Sequence, residues 1–111
     1  MNYIENVYNK KLILYNLHKR NTKMSSMICI PRVDTKITRK YIFDKIKMLK
    51  WGKIEFIKEF NLKETGFKMI IIKLSWGEDD NALLYKDKIV NGSTIKVVHE
   101  NPWYWRVIKY K

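Results

Sequence analysis

Between Met27 and Glu100 the spacing of apolar residues changes repeatedly, and each change marks an element. Met27-Ile28-Cys29-Ile30-Pro31-Arg32-Val33 is a short branched run interrupted by proline, which predicts a strand. Thr38 then precedes Arg39-Lys40-Tyr41-Ile42-Phe43-Asp44-Lys45-Ile46-Lys47-Met48-Leu49. Here Tyr41, Ile42, Lys45, Ile46 and Leu49 recur at steps of three and four. That is a helix capped by Thr38 and ended at Trp51-Gly52. Lys53–Phe60 predicts a second strand, and the stretch closing on Gly66 a turn. Phe67–Trp76 carries the strongest β signal in the chain. Asp79 and Asp80 open a second helix at the end where its dipole favours negative charge, and Asn91-Gly92 stops it. Ser93–Glu100 predicts a fourth strand.

The order is β-α-β-β-α-β, the split βαβ or ferredoxin-like arrangement. The expected fold class is α+β, a four-stranded antiparallel sheet with two helices on one face. Residues 27–100 form this domain. Residues 1–26 read as an N-terminal extension. Ile4, Val7, Tyr8, Leu12, Leu14 and Tyr15 make a loose helical stripe there, Lys11–Leu17 suits a strand equally well, and Asn21–Ser26 is a linker. Met24 is a candidate alternative start. Residues 101–111 form an aromatic and basic C-terminal tail.

Period-two alternation assigns the strand faces. Ile28, Ile30, Ile70, Ile72, Leu74, Ile95 and Val97 are expected to point at the helices. Cys29, Phe67, Met69, Ile71, Lys73, Lys96 and Val98 are expected to point away. Lys68 falls on the core side and is expected at the rim, its ammonium in water. An outer face of Cys29, Phe67, Met69, Ile71 and Val98 is too apolar to stay bare. A ligand, a partner or the tail should cover it. In an extended tail Trp103, Trp105 and Val107 share one side, while Tyr104, Arg106, Ile108 and Tyr110 share the other. The first set is expected to latch onto the sheet, which leaves Tyr104 and Arg106 for a base and a phosphate.

Charge sharpens this picture. The 111 residues suffice for one domain, and 23 Lys and Arg against 11 Asp and Glu give a formal charge of +12. Such a surplus favours a polyanion partner, and Lys over Arg suits phosphate contact better than base readout. Lys58, Lys73, Lys96, Arg106 and Lys109 are expected to ring the sheet. The bland alternative for these lysines is a solvated rim. Apolar residues at 46% argue against disorder. With Cys29 alone there is no intramolecular disulfide, which fits a reducing compartment. No apolar run is long enough for a membrane helix, and the expectation is an intracellular protein with no membrane partner. One Cys and two separated His make no usual zinc site, no Gly-rich phosphate loop is present, and Asp79-Asp80 suits a helix start. Neither an enzyme nor a cofactor is expected.

The pattern resembles the RNA recognition motif (RRM) family. Ile28-Cys29-Ile30-Pro31-Arg32-Val33 matches the β1 motif, with Cys29 in its aromatic slot. Thr65-Gly66-Phe67-Lys68-Met69-Ile70-Ile71-Ile72 matches the β3 motif. Gly66 and Phe67 keep that pattern, while Thr65, Lys68, Met69 and Ile72 depart from it. Acylphosphatase shares the element order, but Arg32 follows Pro31 without the glycines of its loop. Ile30-Pro31-Arg32-Val33 together with Asn101-Pro102-Trp103-Tyr104-Trp105-Arg106-Val107 also resembles small RRM-like proteins of large DNA viruses. That implies a host cytoplasm or virion setting. The RRM resemblance implies single-stranded RNA as partner. Its candidate contacts are Phe67, Met69, Cys29, Lys73, Lys96, Tyr104, Arg106 and Lys109. The rival expectation is a degenerate interaction module that engages a protein or a second copy through residues 1–23 or the sheet face. A third is a DNA-associated basic protein.

Overall fold

The computed structural model describes residues 25–63 and 66–110. Its elements are β1 (Ser25–Asp34), α1 (Arg39–Met48), β2 (Gly52–Asn61), β3 (Phe67–Trp76), α2 (Asp80–Val90), β4 (Ile95–Glu100) and β5 (Trp103–Lys109). They form an α+β fold with one antiparallel five-stranded sheet, ordered β2-β3-β1-β5-β4. β1 starts at Ser25, which pairs with Ser75, so the expected linker ends earlier than Ser26. The expected helix or strand within residues 1–23 lies outside the described residues.

The sheet corrects the expectation of four strands and a tail. Residues 103–109 are a strand, and they lie between β1 and β4. The strand that follows α2 is pushed to the edge, and a turn through the cis Asn101–Pro102 bond brings the chain back beside β1. The reason is legible in β5 itself. Aromatic and branched residues favour the pleated state, and Trp105 and Val107 alternate into the same core as Ile28 and Ile30.

Local chemistry fixes the helices. The Thr38 hydroxyl accepts the Tyr41 N–H at 3.1 Å, and the Asp79 carboxylate accepts the Ala82 N–H at 2.7 Å. α1 stops at Leu49, before Trp51-Gly52, and Lys50 takes the left-handed turn at φ 57°. Gly52 serves another purpose: a Cβ there would sit 2.0 Å from the Ser75 carbonyl oxygen. Only glycine lets β2 begin this close to β3.

The core faces follow the alternation. Ile28, Ile30, Ile70, Ile72, Leu74 and Val97 are buried with Ile42 and Ile46 of α1 and Ile89 of α2, whereas Ile95 is only partly covered. Lys68 corrects its expectation. It is 7% exposed, buried rather than at the rim in water. Lys68 Nζ donates to Glu59 Oε1 and to the Ile37 carbonyl, each at 2.6 Å. Burial of a charge demands such partners, and β2 supplies the carboxylate directly beside the register of β3. The bond from Lys68 holds the Glu59 carboxyl below its usual range, with Arg39 adding to it at 3.3 Å.

Two aromatic groups close the ends of the sandwich. Trp51 stacks with Trp76 at 5.7 Å and with Tyr85 at 5.3 Å. At the opposite end His99 stacks on Trp105 at 4.1 Å, and Tyr41 meets both rings edge-on.

Candidate functional site

The outer face is built by cross-strand register. Phe56 and Met27 flank Lys73, Lys58 and Cys29 flank Ile71, and Phe60 neighbours Met69. Ile108 lies on the other side of Cys29, Lys96 faces Arg106, and Val98 faces Tyr104. This face is less bare than expected. Cys29 and Ile71 are 3% and 4% exposed, because each sits on an inner strand between two occupied neighbours. Burial raises the pKa of the Cys29 thiol. Phe67, Met69 and Lys73 are half-buried, and Val98 is exposed.

Two of the expected contacts carry partners of their own. The Arg32 guanidinium stands 4.0 Å over the centre of the Phe67 ring. The register of β1 against β3 shifts between Ile30 and Val33, which turns Arg32 outward while Val33 stays in the core. Across the sheet, the Lys96 ammonium stands 4.1 Å over the Tyr104 ring. A hydrogen bond from Arg106, and then the charges of Arg106 and Lys96, lower the pKa of the Tyr104 hydroxyl. Lys96 and Arg106 are direct cross-strand neighbours, an arrangement of like charges that costs stability unless an anion relieves it. The acidic residues near this face include Asp34 and Glu100, which line a cleft together with Tyr104, and Glu55. Asp34 ends β1, Glu100 ends β4, and Glu55 at the β2 irregularity accepts a bond from Ser75.

Lys109 is corrected. It lies opposite Ile28, so it shares the side of Trp105 and Val107 and not that of Arg106. The tail tryptophans divide as well. Trp105 is buried as a latch would be, but Trp103 is 67% exposed.

Between the Arg32–Phe67 and Lys96–Tyr104–Arg106 groups the sheet opens. The Tyr110 N–H donates to the Met27 carbonyl at 3.0 Å, and Ile28 and Cys29 pair with Lys109 and Ile108. The same register continued would set Pro31 against Arg106, where proline has no N–H to give. The ladder ends there, and the strands part. A cleft of about 400 Å³ results, walled by Val33, Ile37, Phe67, His99, Trp103 and Trp105. A second cleft of about 560 Å³ runs over Pro31, Thr94 and Ile108, and Arg32 and Tyr104 line both. Burial lowers the pKa of His99 at the cleft wall, and the Tyr41 hydroxyl lies 3.2 Å from its Nδ1.

Arg32, Trp103 and the β2 pair Phe56 and Phe60 were not among the sequence-derived contacts. Pro31 is the signal for Arg32, since a proline inside a strand marks an irregularity that redirects its neighbours. Among the described residues no group of His, Cys, Asp and Glu could hold a metal ion, and no helix is long and apolar enough to cross a membrane. Compared with protein-family models, curated proteins and solved structures, the chain matches none.

Proposed function

We propose that this chain binds single-stranded RNA on the outer face of its sheet, as an RRM-like domain of ferredoxin-like build. In this reading β5 takes the place beside β1 that the fourth strand of a ferredoxin-like sheet holds, and β4 is an added edge. The observation that carries the proposal is the Lys96–Tyr104–Arg106 group. Two cations face each other across a β-ladder and bracket an aromatic ring that is 39% exposed. A phosphate between them relieves their repulsion, and a base on Tyr104 gains stacking, worth about 1–3 kcal/mol. Arg32 over Phe67 offers a second cation–aromatic pair across the cleft. Lys73 and Lys58 lie on the other side of Phe67, on β3 and β2, where a strand extended beyond this second pair would meet them.

The test is fluorescence anisotropy with mixed-sequence RNA over a range of salt. Binding is expected at low ionic strength and should weaken as salt rises. Lys96→Ala and Arg106→Ala are each expected to reduce the slope of log affinity against log salt by about 0.7. Tyr104→Ala should weaken binding about five- to hundredfold without changing that slope. Absence of salt-dependent binding to any RNA would sink the proposal. Tighter binding of a DNA strand of the same sequence would reassign the partner.

A further inference from the structure

We infer that the cleft where β1 and β5 part is a pocket for a single guanine base, stacked on Trp103 and recognised by Glu100. The inference rests on the RNA-binding reading and gives it a base preference. The cleft, about 400 Å³, lies within the range typical of small-ligand sites, ~300–1,000 Å³. Its walls are largely aromatic, which suits the π-face of any base. Trp103 stands out among them. The other three tryptophans of the described residues are 2–4% exposed, while Trp103 is left 67% exposed at the cleft mouth. An indole held out of the core by a strand and directed along a cleft is a stacking platform.

Glu100 supplies the choice of base. It is the direct cross-strand partner of Trp103, so the two side chains lie side by side. The second carboxylate of the cleft, Asp34, already accepts the Lys36 N–H at 2.8 Å. The Glu100 side chain forms no hydrogen bond or ion pair among the described residues, and its charge acts on His99 alongside. An ionised carboxylate only accepts hydrogen bonds, through two adjacent oxygens. Guanine alone among the four bases presents two adjacent donors, N1–H and the N2 amine, on one edge. Adenine and cytosine pair a donor with a ring acceptor there, and uracil flanks its N3–H with two carbonyls. A base stacked on Trp103 with that edge towards Glu100 is therefore selected as guanine. Arg32 and Tyr104, which line both clefts, stand where the backbone would leave the pocket for the sheet face.

The experiment compares octauridine with versions carrying one central guanosine, inosine or adenosine, for the unaltered chain and for Trp103→Ala and Glu100→Gln. The guanosine version is expected to bind about five- to hundredfold more tightly than octauridine. Inosine, which lacks the N2 amine, and adenosine should lose that gain. Each substitution should bring the guanosine oligomer down to the affinity of octauridine for the same variant. Trp103 is exposed and Gln is isosteric with Glu, so both variants are expected to keep the circular dichroism of the parent. Equal affinity for all four oligomers overturns the pocket and leaves RNA binding standing. A guanosine preference that survives both substitutions overturns the assignment to this cleft. If none of the four binds, the RNA reading falls and the pocket with it.

Discussion

The two ends of the sandwich are assembled from similar parts and finish differently. Trp51, Trp76 and Tyr85 stack at one end, Tyr41, His99 and Trp105 at the other. The first end is closed. Gly52 lets β2 press against β3, and the Gly77 N–H reaches back to the Trp51 carbonyl at 2.8 Å. The Trp76 indole N–H is buried there without an acceptor among the described residues. At the second end the Tyr41 hydroxyl meets His99 Nδ1 and the His99 carbonyl, and that end borders the cleft that Pro31 opens. One end supplies cohesion, which allows the other to leave an aromatic ring in water and two cations face to face.

The sharpest break of this contrast is at the closed end. Trp51→Ala is expected to cost about 3–5 kcal/mol in urea unfolding, with RNA affinity unchanged wherever the protein remains folded. A cost under about 1 kcal/mol would mean that the anchor lies elsewhere. Glu59→Gln comes next. It removes the negative charge beside the Lys68 ammonium, 7% exposed, and leaves neutral acceptors such as the Ile37 carbonyl. About 2 kcal/mol is expected at neutral pH, less than for a fully buried pair because Glu59 itself is partly exposed. The folded pKa of Glu59 is lowered, so its contribution is complete above its ordinary value of 4.5 and is lost as pH falls through the lowered one. Glu59→Gln should show a flatter decline of stability in that acid window, measured by denaturation at successive pH values.

At the open end the effects are smaller. Burial also lowers the folded pKa of His99, so folding disfavours its proton. Stability is expected to be full above the ordinary value of 6.5 and to decline as pH falls below it. His99→Phe keeps a ring on Trp105, leaves the Tyr41 hydroxyl beside the backbone carbonyl of residue 99, and should remove the decline. Stability that instead rises below 6.5 would show that a partner, rather than burial, governs this histidine. Trp103→Ala should be the mildest change, within about 0.5 kcal/mol. A larger loss would make Trp103 part of the latch.

Elements were more legible in the sequence than their neighbours were. Thr38, Asp79 and Asn91-Gly92 carry local instructions, since a cap acts on residues a few positions away, and the helices they bound are present. The inward set from Ile28 to Val97 followed because alternation is also local. The place of Trp103–Lys109 was not local information. Whether an alternating aromatic segment lies on a sheet or within it depends on which strand edge is open to it. The fate of Lys68 depended in the same way on Glu59, nine residues away across a turn. Of the candidate contacts, Lys96, Tyr104 and Arg106 came together because they occupy one hairpin. Lys109 did not join them, because it falls on the opposite parity from Arg106. Phe67 was legible as an outward ring, but its cover by Arg32 was not, since the register shift that turns Arg32 involves β3.

β5, beside β1, is also the last of the seven described elements to leave a ribosome. Until Trp103–Lys109 has emerged, β2, β3 and β1 can pair with one another, and no other described element pairs the far side of β1. An open strand edge is a template for wrong partners. Pro31 interrupts its row of donors during that interval, as proline does on permanent edges. The residue that later holds the cleft apart thus guards the nascent chain first.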